Sequence, residues 1–159
     1  METKVKLSDI LEALEVQSDE SHYYLDTDTG VVHLLSSEEM YAAEDADSLE
    51  DYPEWQHENI EIARRLTNGK DEGLIELPTR WDLNEYEIME FFCDDQNPAD
   101  RETLLDAIKG KGAFRRFKDT VARLDLFDQW NQFRLTKFKI VAVEWCQANE
   151  IPYVDDVKV

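Results

Sequence analysis

Cysteine is nearly absent, with two residues in a chain of 159. Two thiols are too few for a disulfide framework, and they fit a reducing, cytoplasmic setting. No run approaches the ~20 apolar residues that span a bilayer. Residues 1–10 lack the apolar core behind a basic segment that a secretory signal requires. Basic side chains are also scarce: 17 Lys and Arg stand against 37 Asp and Glu, a formal net charge of −20. A field of that sign repels polyanions and anionic membrane surfaces. Neither a fixed repeat nor a low-complexity tract is present. What is there is a core: 42% of residues are hydrophobic, including 4 Trp, 6 Tyr and 7 Phe. That content excludes a wholly disordered acidic chain. The length suits one domain over residues 1–159, enough to remove about 68–70% of the unfolded surface from water.

The charge is unevenly written along the chain. Residues 1–100 hold 28 acidic and 6 basic side chains, whereas residues 101–159 hold 9 and 11. The densest acidic stretch is Glu44 to Glu61, and the densest basic one is Lys109 to Arg123, where six cations face only Asp119. Either the two regions compensate each other in the fold, or the basic stretch is exposed and takes an anionic partner.

Pattern and punctuation predict an α+β protein, mainly α, with a small antiparallel β-hairpin. Ser8 is read as the N-cap of a helix to about Val16. Tyr23-Tyr24-Leu25, the turn Asp26 to Gly30, and Val31 to Leu35 form the hairpin. Pairing Asp26 with Val31 puts Tyr23, Leu25, Val32 and Leu34 on one face, expected to be the buried one, with His22 and His33 on the other. A helix is expected from Ser37, then an acidic mobile loop over about 44–52, then a helix from Pro53 to about Leu66. Leu74 to Leu77 is a strand candidate. Asp82 is read as the cap of a helix from Leu83 to about Asp94. Asn97-Pro98 opens another helix, closed by Gly110. The next carries Phe114, Phe117, Val121 and Leu124 on its core face, and the last runs from about Asp128 to Asn149.

Few residue groupings carry chemistry. Cys93 and Cys146 sit in apolar helical patterns and read as buried free thiols; neighbouring Asp94, Asp95 and Glu144 oppose a reactive thiolate. The best site candidate is the glycine-framed turn Gly110-Lys111-Gly112 and the helix start after it, with Lys111, Arg115, Arg116 and Lys118. There a helix N-terminus and clustered cations favour an anion, a phosphate ligand or nucleic acid. It is not a P-loop, because no Ser or Thr follows the lysine. The simpler account pairs Arg115 with Asp119, and Arg116 and Lys118 with the acidic half. Glu85, Glu87 and Glu90 form either a solvated face or a docking face for a basic protein. Asp26 to Gly30 lacks the ligands of a calcium loop and reads as a turn. His22 and His33 lack further zinc ligands, His57 reads as a surface residue, and no serine stands in a nucleophile elbow. No metal site and no cofactor are expected. Asp94-Asp95 could hold magnesium, but 37 carboxylates produce such pairs by chance.

Taken in order, several segments resemble a bacterial family known as uncharacterised protein family 0158. They are Leu7 to Leu14-Glu15, Tyr23 to Gly30, Glu85-Tyr86-Glu87-Ile88-Met89, Gly110 to Asp119, and Trp145-Cys146 with Ile151-Pro152-Tyr153. The resemblance implies a bacterial, cytoplasmic, whole-chain domain and transfers no catalytic residue. The leading expectation is a non-enzymatic acidic binding or regulatory domain acting through protein–protein contacts, with no membrane partner. The alternative is nucleic-acid or phosphate-ligand binding through the basic helix of residues 111–123. A third reading is a carboxylate-metal hydrolase.

Overall fold

Side chains of Ser36, Asn84 and Asn97 cap the helices that open at Ser37, Glu85 and Pro98, whereas those that open at Leu7, Glu54 and Ala113 begin without a side-chain bond from the N-cap residue. The computed structural model describes residues 3–16, 21–45, 49–68 and 73–158, without the side chains of Asp45, Arg80 and Trp81. The elements are β1 (Val5–Lys6), α1 (Leu7–Glu15), β2 (Ser21–Asp26), β3 (Val31–Ser36), α2 (Ser37–Asp45), a 3-10 turn (Leu49–Asp51), α3 (Glu54–Thr67) and β4 (Leu74–Glu76). They are followed by α4 (Arg80–Leu83), α5 (Glu85–Asp94), α6 (Pro98–Ala107), α7 (Ala113–Arg123), α8 (Phe127–Ala148) and β5 (Tyr153–Val154). The class is α+β and mainly α. The chain divides into two compact units, residues 1–79 with 142–157, and residues 80–141 with 158–159.

In the first unit β2 is the centre of a three-stranded antiparallel sheet in the order β3-β2-β4. The predicted register holds, with Asp26 opposite Val31 and Tyr23 opposite Leu34. Which face is buried differs from expectation. Tyr23 and Leu25 are buried as predicted, yet Leu34 is exposed and Leu35, on the opposite face, is wholly buried. The reason is a second cover: Leu35 and Tyr24 pack with Ile62 and Ala63 of α3 and Met40 and Ala43 of α2. Thus α2 and α3 cover the Leu35 face of the sheet, while Leu34 on the other face stays in water.

Polar contacts fix these helices. Ser36 and Glu39 form a reciprocal capping box at the start of α2: Glu39 N donates to Ser36 Oγ (3.2 Å) and Ser36 N donates to Glu39 Oε1 (2.9 Å). The other oxygen of this buried carboxylate accepts from Asn59 Nδ2 of α3 at 3.0 Å. Buried Asp26 accepts from Asp28 N at 2.9 Å and from Arg65 Nη1 at 3.2 Å. Ser8 is not the N-cap of α1; Lys6 occupies that position without a side-chain bond. Ser8 instead donates its N–H (2.9 Å) and hydroxyl (2.5 Å) to the Asp156 carboxylate. The cap therefore comes from the far end of the chain, next to the parallel pairing of β1 with β5. Of the expected acidic loop, residues 44 and 45 lie in α2, 49–51 form the 3-10 turn, and 46–48 lie outside the described residues.

The second unit is helical. Asp82 is inside α4 and does not cap α5; that role falls to Asn84, whose side chain accepts from Glu87 N while its own backbone is left-handed at φ 45°. Asn97 caps α6 as expected, accepting from Asp100 N at 2.9 Å. The core is aromatic: Phe117 meets Trp130 edge to face at 4.7 Å and Phe92 at 6.1 Å, and Phe92 meets Phe133 at 5.5 Å. Phe117 and Val121 are fully buried, but Phe114 is 46% exposed, so only part of the predicted α7 stripe enters the core.

Candidate binding surfaces

The turn between α6 and α7 gathers the predicted cations, and the structure uses them unequally. Gly112 holds φ 77°, a left-handed conformation that turns the chain directly into α7. One helical turn later the Arg116 guanidinium folds back over this corner. Its Nε donates to Ala107 O at 2.9 Å, Nη2 to Lys109 O and Nη1 to Lys111 O. A cation thus satisfies carbonyls at the C-terminus of α6, where the helix dipole is negative. Arg116 is a structural clasp, a role the sequence did not reveal because its partners precede it by five to nine residues. Lys111, Arg115 and Lys118 are exposed and make no ion pair among the described residues. The expected Arg115–Asp119 pair is not formed. Lys109, by contrast, holds Asp106 at 2.9 Å, and that bond raises the lysine's pKa above its ordinary value.

The three α5 glutamates have different surroundings. Glu85 is half-buried and paired with Arg134 of α8 at 2.8 Å, and that guanidinium also lies 4.2 Å over the Phe138 ring. Glu87 accepts from Asn84 Nδ2 at 2.9 Å. Glu90 borders an open cleft of about 630 Å³ between α5 and α6, beside Tyr86 and Arg101.

A groove among α5, α7 and α8 was not foreseen. It measures about 320 Å³; Met89, Phe117, Val121 and Trp130 contribute apolar wall, and Phe114 and Phe127 add large exposed surfaces. Lys118, Asn131 and the Glu85–Arg134 pair provide its polar atoms. The signal that could have found it is the same Phe114 that was assigned to the core.

Charge also divides unequally between the two units. The first unit carries 25 acidic and 5 basic side chains, a net of −20, and the second carries 12 of each. The acidic unit also presents Trp55 at 74% exposure on α3 and Tyr41 at 67% on α2.

Cys93 and Cys146 are buried and free, and burial pushes both thiols up to about 11, with Asp94 adding to the effect at Cys93. His57 is half-buried, its Nε2 2.9 Å from Tyr52 O. His22 stands opposite Leu35, and His33 opposite Tyr24. Among the described residues no three His, Cys, Asp or Glu side chains converge as a metal site. No described helix is long and apolar enough to cross a membrane. No curated protein and no solved structure matches the chain. A family model does match, over residues 3–158, and the chain therefore belongs to Uncharacterised protein family (UPF0158).

Proposed function

We propose that this chain is a non-enzymatic cytoplasmic binding domain that acts through protein–protein contacts, its first unit taking a cationic segment of a partner protein. The observation that carries this reading is the placement of the entire net charge of −20 in one unit. Such a surface accelerates encounter with a basic partner and selects against acidic ones. Trp55 and Tyr41 supply what charge alone lacks, since exposed Trp and Tyr are the residue types that dominate interface energetics and also attract Lys and Arg over their ring faces. Pull-down from the native host at low and high salt tests the idea, followed by direct titration of the recovered partner. Binding should weaken with salt, and Trp55→Ala or Glu58→Lys should weaken it by about tenfold or more. Recovery indifferent to salt and to both substitutions would overturn it.

A second reading rests on Lys111, Arg115 and Lys118, which lack ion-pair partners among the described residues. They would engage a phosphate group or nucleic acid beside the α7 N-terminus. Affinity for an oligonucleotide and for inorganic phosphate should then fall with ionic strength and with Arg115→Ala. Unchanged affinity in that variant would dismiss it.

A further inference from the structure

The groove of the second unit calls for a different ligand from the acidic surface of the first. Phe114 and Phe127, 46% and 57% exposed, leave large apolar surfaces in water beside a concave space. Exposed apolar area is unfavourable in water, so filling the space removes that penalty. Its volume of about 320 Å³ suits a small molecule and not a folded partner.

The polar atoms decide the head group. Glu85 and Arg134 cancel each other at 2.8 Å. What remains is the Lys118 ammonium on α7 and the Asn131 carboxamide on α8, and neither has a hydrogen-bond or ion-pair partner among the described residues. An ammonium and an amide donor beside an aromatic wall match an anion with two acceptor oxygens attached to an apolar body. A cationic amphiphile would meet Lys118 with the wrong sign, and a neutral one would leave it unanswered. We propose that this groove is a binding site for a small apolar monocarboxylate, a free acid with an alkyl or aryl chain, its carboxylate on Lys118 and Asn131 and its tail against Phe114, Phe127 and Trp130. The neutral charge balance of the second unit makes an anion acceptable there despite the net charge of the chain.

Titration calorimetry on the full chain, with decanoate below its micelle concentration, tests the site. Expected is one decanoate per chain, with a change in tryptophan fluorescence that Trp130→Phe removes. Lys118→Gln should weaken binding about tenfold or more, as should Phe127→Ser, while Arg101→Gln, at an exposed position outside the groove lining, should leave it unchanged. Both groove substitutions are at exposed positions, and circular dichroism verifies their folding. Three results would overturn the proposal: no decanoate binding, equal affinity for decanol or decyltrimethylammonium, or full affinity in Lys118→Gln.

Discussion

Phe117 is wholly buried and touches both Trp130 and Phe92 edge to face, so cutting it to alanine removes the keystone of an aromatic cluster as well as its own volume. Phe117→Ala should cost about 3–5 kcal/mol, read as a lower denaturation midpoint in urea. At Cys93 and Cys146 burial holds the thiols near 11, far above neutral pH. Iodoacetamide at pH 7 should leave both untouched in the folded protein and modify both after denaturation, a result mass spectrometry reads directly. Rapid labelling of the native chain would contradict their burial. Both cysteines were legible in the sequence because apolar neighbours surround them. Phe114 was not, since helical spacing places it beside Phe117 and Val121, and only the packing of α5 and α8 decides how far around α7 the core reaches.

At the level of elements, the α6–α7 corner depends on Gly112 and Arg116 together. An alanine at position 112 would have to hold φ 77°, and its Cβ would lie 3.1 Å from Arg116 Nη1, the atom donating to Lys111 O. Gly112→Ala should therefore destabilise by about 1–2 kcal/mol. Arg116→Ala should lower the melting temperature by a few degrees, because three carbonyls lose their donor, whereas Arg115→Ala should leave it unchanged. Differential scanning calorimetry separates the three variants. Signals carried within one turn of chain, such as the Asn97 cap, the Gly110 and Gly112 corner and the register of the hairpin, were readable beforehand. Those carried between distant segments were not: the β1–β5 pair is two residues per strand, too short for any periodicity. The burial of Leu35 depends on α2 and α3 folding back over the sheet. Asn84 was hidden for another reason, since a left-handed asparagine ends α4 and caps α5 where the apolar pattern runs on unbroken.

Across the whole molecule, charge divides by unit as well as along the sequence, with −20 in one unit and no net charge in the other. The neutral unit begins at Arg80 and runs to Val141, after which the chain returns to the acidic unit. Asp156, on that returning segment, joins Ser8 across 148 positions, and the two hydrogen bonds from Ser8 hold its carboxyl below the usual range. A depressed carboxyl pKa stabilises the fold above the unfolded value of about 3.9, and the benefit disappears as pH falls through the folded value. Asp156→Asn should thus melt below the wild type at pH 7, and the gap should close on acidification below that range; a gap independent of pH would refute the linkage. The same closure has a consequence for biosynthesis. A ribosome delivers residues 80–141 before residues 142–157, so the helical unit has all of its main segment while the acidic unit still lacks β5 and the carboxylate that caps α1. The acidic unit must wait, partly assembled around an insertion, and its β1 edge stays unpaired until residues 142–157 emerge.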